Sequence, residues 1–248
     1  MINALIRSAA ALCVAFILSG DRGAIAGECL ASSALGTSDL LSGIDADRRL
    51  DFIEHHMKAS ARRTRIWAWS WAAIYSGIVT EEMAQYSIRD HADRIDGWFN
   101  AGSAAIGVLS LAFMPQAVLK DQRWLERERR KLAPGAAICP VLAEAERRLV
   151  RDAKDQAFGK GPALHLGTFA FNFAVAAVLG IGFGHWQTAA IFLVAGEVVG
   201  EAQIASQPSE MISVLERYKA GDLRAGEIRR YNVTLVPGIA SFHLRVDF

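Results

Sequence analysis

From Ala163 to Ala205 the chain carries no lysine or arginine, and it is apolar almost throughout. A helix needs about 20 residues, at about 1.5 Å each, to cross a hydrocarbon layer about 30 Å thick. This stretch holds two such runs, Ala163 to Gly184 and Trp186 to Ala205, joined by little more than His185. Amphipathic helices of soluble folds keep a polar stripe, and the first of these runs has almost none. Two further runs free of lysine and arginine come earlier, Ile66 to Thr80 and Gly97 to Leu119. The first of them is short. Its flanking Arg62, Arg63 and Arg65 can reach an interface, and Trp67, Trp69, Trp71 and Tyr75 favour headgroup depth. The pattern predicts an all-α integral membrane protein, a four-span helical bundle.

The chain is 52% hydrophobic yet 21% charged, so the charges must sit outside the spans. Residues 27–65 form an N-terminal extramembrane segment, 66–119 the first two spans and 120–162 a charged excursion. Residues 163–205 form the last two spans and 206–248 a tail. In the excursion, Asp121 to Leu132 and Val141 to Phe158 read as an extramembrane helical hairpin, broken at Ala133-Pro134-Gly135 and restarted after Pro140. The tail is expected to hold a helix from Ser209 to Lys219. A small C-terminal β-hairpin is expected to follow, because Phe242, Leu244, Val246 and Phe248 alternate with polar residues opposite Asn232 to Val236. The repeated ten-residue alternation of an outer-membrane barrel is missing from the rest of the chain.

Three signals bear on sidedness, and they conflict. Arg7, the apolar run Ser8 to Leu18 and Ala24-Ile25-Ala26 read as a signal peptide over residues 1–26. Cleavage there leaves the new N-terminus, the long loop and the tail on the exported side of an inner or plasma membrane. Those same regions carry 23 of the 27 lysines and arginines, against Arg89 and Arg94 on the other side, and the positive-inside rule puts them in the cytoplasm. After cleavage only Cys29 and Cys139 remain, both on one side, and a disulfide between them requires an oxidising compartment. That third signal favours the exported placement.

Chemistry concentrates in the fourth span. Glu197 and Glu201 are four residues apart and share a helix face, and a carboxylate within the membrane is costly enough to face a bundle interior or a wet cavity. Gly196 and Gly200 form a small-xxx-small pair that permits close helix packing. In the third span His165, Thr168 and Asn172 share a face and are the expected partners. Glu197, Glu201, His165 and Asn172 are therefore the candidate intramembrane polar site.

No metal site is expected. Glu54-His55-His56 and Asp90-His91 with Asp93 and Asp96 carry ligand-type residues in no recognised metal spacing. No cofactor fingerprint or activated serine is present, and Gly180, Gly182 and Gly184 follow no strand. The net charge of +1 gives no reason to expect nucleic acid. The expected partners are the lipid bilayer and a second copy or another membrane protein. Three functions fit: a structural or accessory membrane protein acting through helix packing, a small proton- or cation-coupled transporter or channel subunit using Glu197, and a membrane-embedded lipid-modifying enzyme. The absence of a catalytic motif favours a non-enzyme.

Overall fold

The computed structural model describes residues 29–36, 40–113, 116–133 and 136–224, and the backbone alone of 232–237 and 242–247. The proposed signal peptide over residues 1–26 lies outside the described residues. Seven α-helices dominate: α1 Ala46–Gln85, α2 His91–Phe113, α3 Val118–Lys131, α4 Cys139–Gly159, α5 Pro162–Ala177, α6 Trp186–Ser206 and α7 Glu210–Lys219. A π-helical turn, Val178–Gly182, extends α5.

The longest helix organises the molecule. Its N-cap is Asp45, whose carboxylate accepts from the Arg48 backbone N–H at 3.1 Å. It then runs 40 residues without a break, about 60 Å at the rise of an α-helix. Its first half is buried on one face through Leu50, Ile53, Met57 and Ala61, and belongs to a compact helical domain. Its second half leaves that domain and packs against α2.

The domain core is formed by α1, α3, α4 and α7. On α4, Leu142, Ala145, Leu149 and Ala153 recur at helical spacing and are buried, as are Val118 and Leu125 on α3 and Met211, Val214 and Tyr218 on α7. The two helices of the charged excursion are thus built into a larger core. A disulfide joins Cys29 to Cys139, with 5.3 Å between their Cα atoms. Beside it lies a buried polar knot. Arg49 and Glu146, both fully buried, form an ion pair, and Arg49 donates to the Cys29 carbonyl at 2.7 Å. Tyr218 donates to Glu146 at 2.5 Å, and the Ser32 backbone N–H donates to the same carboxylate at 2.6 Å. The knot satisfies both charges and fixes the first described residues to α1 and α4.

Among the described residues, three helical regions are long and apolar enough to cross a membrane, within His91–Lys131, Pro162–Gly182 and Trp186–Lys219. The fourth expected span, Ile66 to Thr80, does not join them. It is the far half of a helix whose near half is charged, Glu81 and Glu82 close it off, and its tryptophans and tyrosine are interfacial residues. The second span also shifts, since α2 starts at His91 and closes at Phe113, two residues before Pro115. Pro115, which restricts helix continuation, lies within the apolar count that ran through Leu119. The C-terminal β-hairpin falls among residues whose side chains are not described.

α5 and α6 form a tight antiparallel hairpin. Gly184 makes the turn at φ 77°, a conformation that favours glycine, and Gly180 lies against the Trp186 ring so closely that a Cβ there would come within 2.7 Å of it.

Candidate functional site

The second half of α1 with α2 makes one antiparallel pair, and α5 with α6 makes the other. The two pairs meet at both ends and part in the middle. At the end nearest the domain, the indole N–H groups of Trp67 and Trp71 donate to Ser206 at 3.2 and 3.0 Å, and the Tyr75 hydroxyl donates to Gln203 at 2.7 Å. At the far end, the Asp96 carboxylate is 2.6 Å from His185 Nδ1 and accepts from the Thr188 hydroxyl at 2.7 Å. Phe99 meets Phe183 edge-on beside them.

Between these two bridges lies a cavity of about 1150 Å³, walled by all four helices. Its middle is lined by apolar side chains such as Ile106, Phe171, Ile191 and Val199, and by small ones such as Ser103 and Ala195. Polar groups join this wall at both ends, and Asn172 does so midway. The far end holds an ion pair between Glu82 and Arg89, with Asn100 donating to Glu82 and Arg89 donating to Gln85, both at 2.6 Å. Gly97 leaves the space for this group, because a Cβ there would come within 2.7 Å of the Arg89 guanidinium. A mainly apolar space of this size with a few polar groups has the character of a small-molecule site.

The residues singled out from the sequence lie against this cavity or behind it. Asn172 is buried, lines the cavity and donates to Glu197 at 3.0 Å. One turn closer to the domain, His165 Nδ1 lies 2.8 Å from the Glu201 carboxylate. Gly196 and Gly200 pack on α5, where added Cβ atoms would run into Asn172 and Thr168 respectively. The glycine face is therefore occupied within the chain. Glu197 and Glu201 do not line the cavity.

Sequence reading missed the groups that bridge the two helix pairs. Asp96 stood among ligand-type residues in no recognised metal spacing, although its place directly before an apolar run is a weak pointer to helix-end burial. Tyr75 with Gln203, and Glu82 with Arg89 and Asn100, join residues of separate segments, which no local pattern reveals. In the domain, three titratable groups are strongly perturbed, among them Tyr218, raised by burial and the Glu146 carboxylate. Burial and the neighbouring Asp121 carboxylate raise Asp152 far above the usual carboxylate range, so that it holds a proton it can share with Asp121. Burial, followed by the positive field of His55, Arg217 and Arg63, pushes His56 down to about 4. Both His56 ring nitrogens are buried without a hydrogen-bond partner.

No grouping of histidine, cysteine, aspartate and glutamate among the described residues could hold a metal ion. The architecture is that of a helical membrane-compatible protein carrying a cystine-bonded helical domain. No family model, curated protein or solved structure matches the chain.

Proposed function

We propose that this is a multi-pass membrane protein that holds an amphipathic, lipid-like molecule between its two helix pairs. The observation that carries this reading is the cavity of about 1150 Å³, mainly apolar, with polar groups at its ends and Asn172 midway. An alkyl or isoprenoid chain suits the middle, and a headgroup able to exchange hydrogen bonds suits an end. The accessory role expected through Gly196 and Gly200 is less well supported, because α5 already fills that face. In this reading the far half of α1 completes the bundle as a fourth, short span. Its hydrogen bonds from Trp67, Trp71 and Tyr75 to α6 support that placement.

The domain lies on the exported side of an inner or plasma membrane. The Cys29–Cys139 disulfide supports this placement, since a cystine persists in an oxidising compartment, and it outweighs the basic count. An export signal over residues 1–26 and a C-terminal β-hairpin complete the chain. Antiparallel pairing of Asn232–Pro237 with Phe242–Asp247, with Val233 opposite Val246, supports the hairpin.

The test is extraction of the purified protein and mass spectrometry of its bound lipids, for wild type and for Ser103→Trp and Ala195→Trp, which put bulk into the cavity. Wild type is expected to carry a lipid-like molecule that both variants lose while the domain keeps its melting temperature. Equal lipid content in all three would overturn the reading. A second reading, proton-coupled carriage through Glu197, draws support from Asn172, which touches both the cavity and that carboxylate. It requires Glu197→Gln to abolish transport in proteoliposomes.

A further inference from the structure

Contacts among separate segments fix the level at which the domain meets the spans. The Thr64 hydroxyl donates to Gln116 at 3.1 Å, and the Ala117 backbone N–H donates to Asp155 at 2.8 Å. Gln156 accepts from the Met211 backbone N–H at 2.8 Å, and the Lys160 ammonium donates to the Ala205 carbonyl at 2.7 Å. The middle of α1, the start of α3 and the end of α4 therefore lie side by side where α6 gives way to α7.

Four cations stand outward at this level: Arg62 and Arg65 on α1, Lys120 on α3 and Lys154 on α4. All are exposed, and none of their side chains has a partner among the described residues. The nearby carboxylates are already engaged, Asp155 by the Ala117 N–H, Glu210 by Arg63, and Asp121 by Arg148 and Arg151. Each cation is accompanied, on the side of the spans, by a large exposed apolar residue. On α1, which runs from the domain to the spans, Ile66 follows Arg62 and Trp69 follows Arg65. On α4, which ends at the junction, Phe158 follows Lys154. Phe113, at the close of α2, precedes Lys120 in the first turn of α3. These four apolar residues are 58% to 79% exposed. Helical residues four apart share a face, so in the first three pairs the apolar side chain lies directly beyond the cation, about 6 Å further along the axis.

We infer that these cations bind the anionic headgroups of phospholipids in the leaflet that the domain faces. Charge complementarity selects the headgroup, since guanidinium and ammonium groups pair with phosphate and no local carboxylate is left to compete for them. The layering selects a membrane over any other polyanion. A cation with an apolar side chain one turn deeper matches an interface, where basic side chains reach the phosphates and apolar ones enter the acyl region. A nucleic acid or an acidic protein would meet the same charges and leave Ile66, Trp69 and Phe158 bare in water. The opposite end of the spans offers no such ring, because residues 81–96 carry five carboxylates against two guanidiniums. The same cations enter the basic count that opposes export, and a headgroup role gives them a use on either side of the membrane. The inference rests on the chain crossing a membrane and not on occupancy of the cavity.

The test uses the full-length chain in phosphatidylcholine bilayers carrying a trace of spin-labelled phosphatidylglycerol or, in parallel, of spin-labelled phosphatidylcholine. Electron paramagnetic resonance reads the fraction of each that the protein immobilises. Wild type is expected to prefer phosphatidylglycerol severalfold, and the preference should shrink in about 1 M salt, which screens the contact without any substitution. Arg62→Gln, Arg65→Gln, Lys120→Gln and Lys154→Gln together should bring the two lipids close to parity. Arg62→Lys with Arg65→Lys should keep the preference. Arg127→Gln with Arg130→Gln, at least two turns further along α3 from Lys120, should keep it too, which separates local contact from overall charge. A lipid held in the cavity is touched by none of these changes, so failure of the cavity reading leaves the result as it stands. Equal immobilisation of the two lipids by wild type, a preference indifferent to salt, an undiminished preference in the fourfold variant, or an equal loss in the Arg127 and Arg130 variant would overturn the inference.

Discussion

Asp152 and His56 are buried in one domain and respond to pH in opposite directions. Asp152 keeps its proton in the fold, whereas an unfolded aspartate releases it above about pH 4. The unfolded state therefore loses protons first, and Asp152 costs stability progressively as pH rises. Asp152→Asn keeps a donor for Asp121 and removes that cost. Its melting temperature should exceed the wild-type value by a margin that grows between pH 5 and pH 8, read by thermal denaturation at each pH. His56 behaves conversely. The unfolded imidazole takes up a proton near pH 6.5 and the folded one near 4, so stability falls as pH drops through that window, by up to about 3 kcal/mol. His56→Phe should flatten this acid-side loss. The ion pair of Arg49 with Glu146 is a different case, because removing one fully buried partner strands the other. Glu146→Ala should destabilise the domain by about 3 to 5 kcal/mol in urea unfolding.

Among the elements, α5 and α6 were the most legible, since their apolar runs are bounded by Pro162, Gly184 and Gln207-Pro208. Their observed limits, Pro162–Ala177 with the following turn and Trp186–Ser206, fall within a few residues of expectation. The two helices of the charged excursion were legible for the same reason, with prolines marking their ends. The continuity of α1 was hidden. A change from charged to apolar composition near Arg65 reads as a boundary between two segments, whereas helix propensity does not register that change and the backbone continues through it. The contact of Gly196 and Gly200 with α5 gives an element-scale prediction. Gly196→Leu places a side chain where Asn172 sits, so it should separate the two helices and lower the yield of folded protein in detergent. Gly102→Leu, on α2 where a Cβ meets nothing within 4 Å, should be tolerated.

Across the whole molecule, the cystine was legible because, of three cysteines, only Cys29 and Cys139 follow the expected cleavage point. The cavity was not legible, because its walls come from four helices and only tertiary packing brings them together. The disulfide closes a loop spanning 110 residues, and in the chain-entropy account a loop of that length stabilises by about 4 to 5 kcal/mol. Cys139→Ser should therefore lower the domain's melting temperature, and reductant should do the same to wild type. Sidedness has its own measurement. A membrane-impermeant maleimide added to intact cells should label Ser213→Cys, on exposed α7, and spare Ser87→Cys, between α1 and α2. The reverse pattern would place the domain in the cytoplasm.

The unbroken run of α1 makes it a lever. One end is clamped in the domain by Leu50, Ile53 and Met57, and the other carries Tyr75 and Glu82 on the cavity wall. Over the roughly 35 Å beyond the clamp, a tilt of about 5° sweeps the tip by about 3 Å. A rocking of the domain is thus carried towards the gap between the helix pairs along a helix with no break in its backbone.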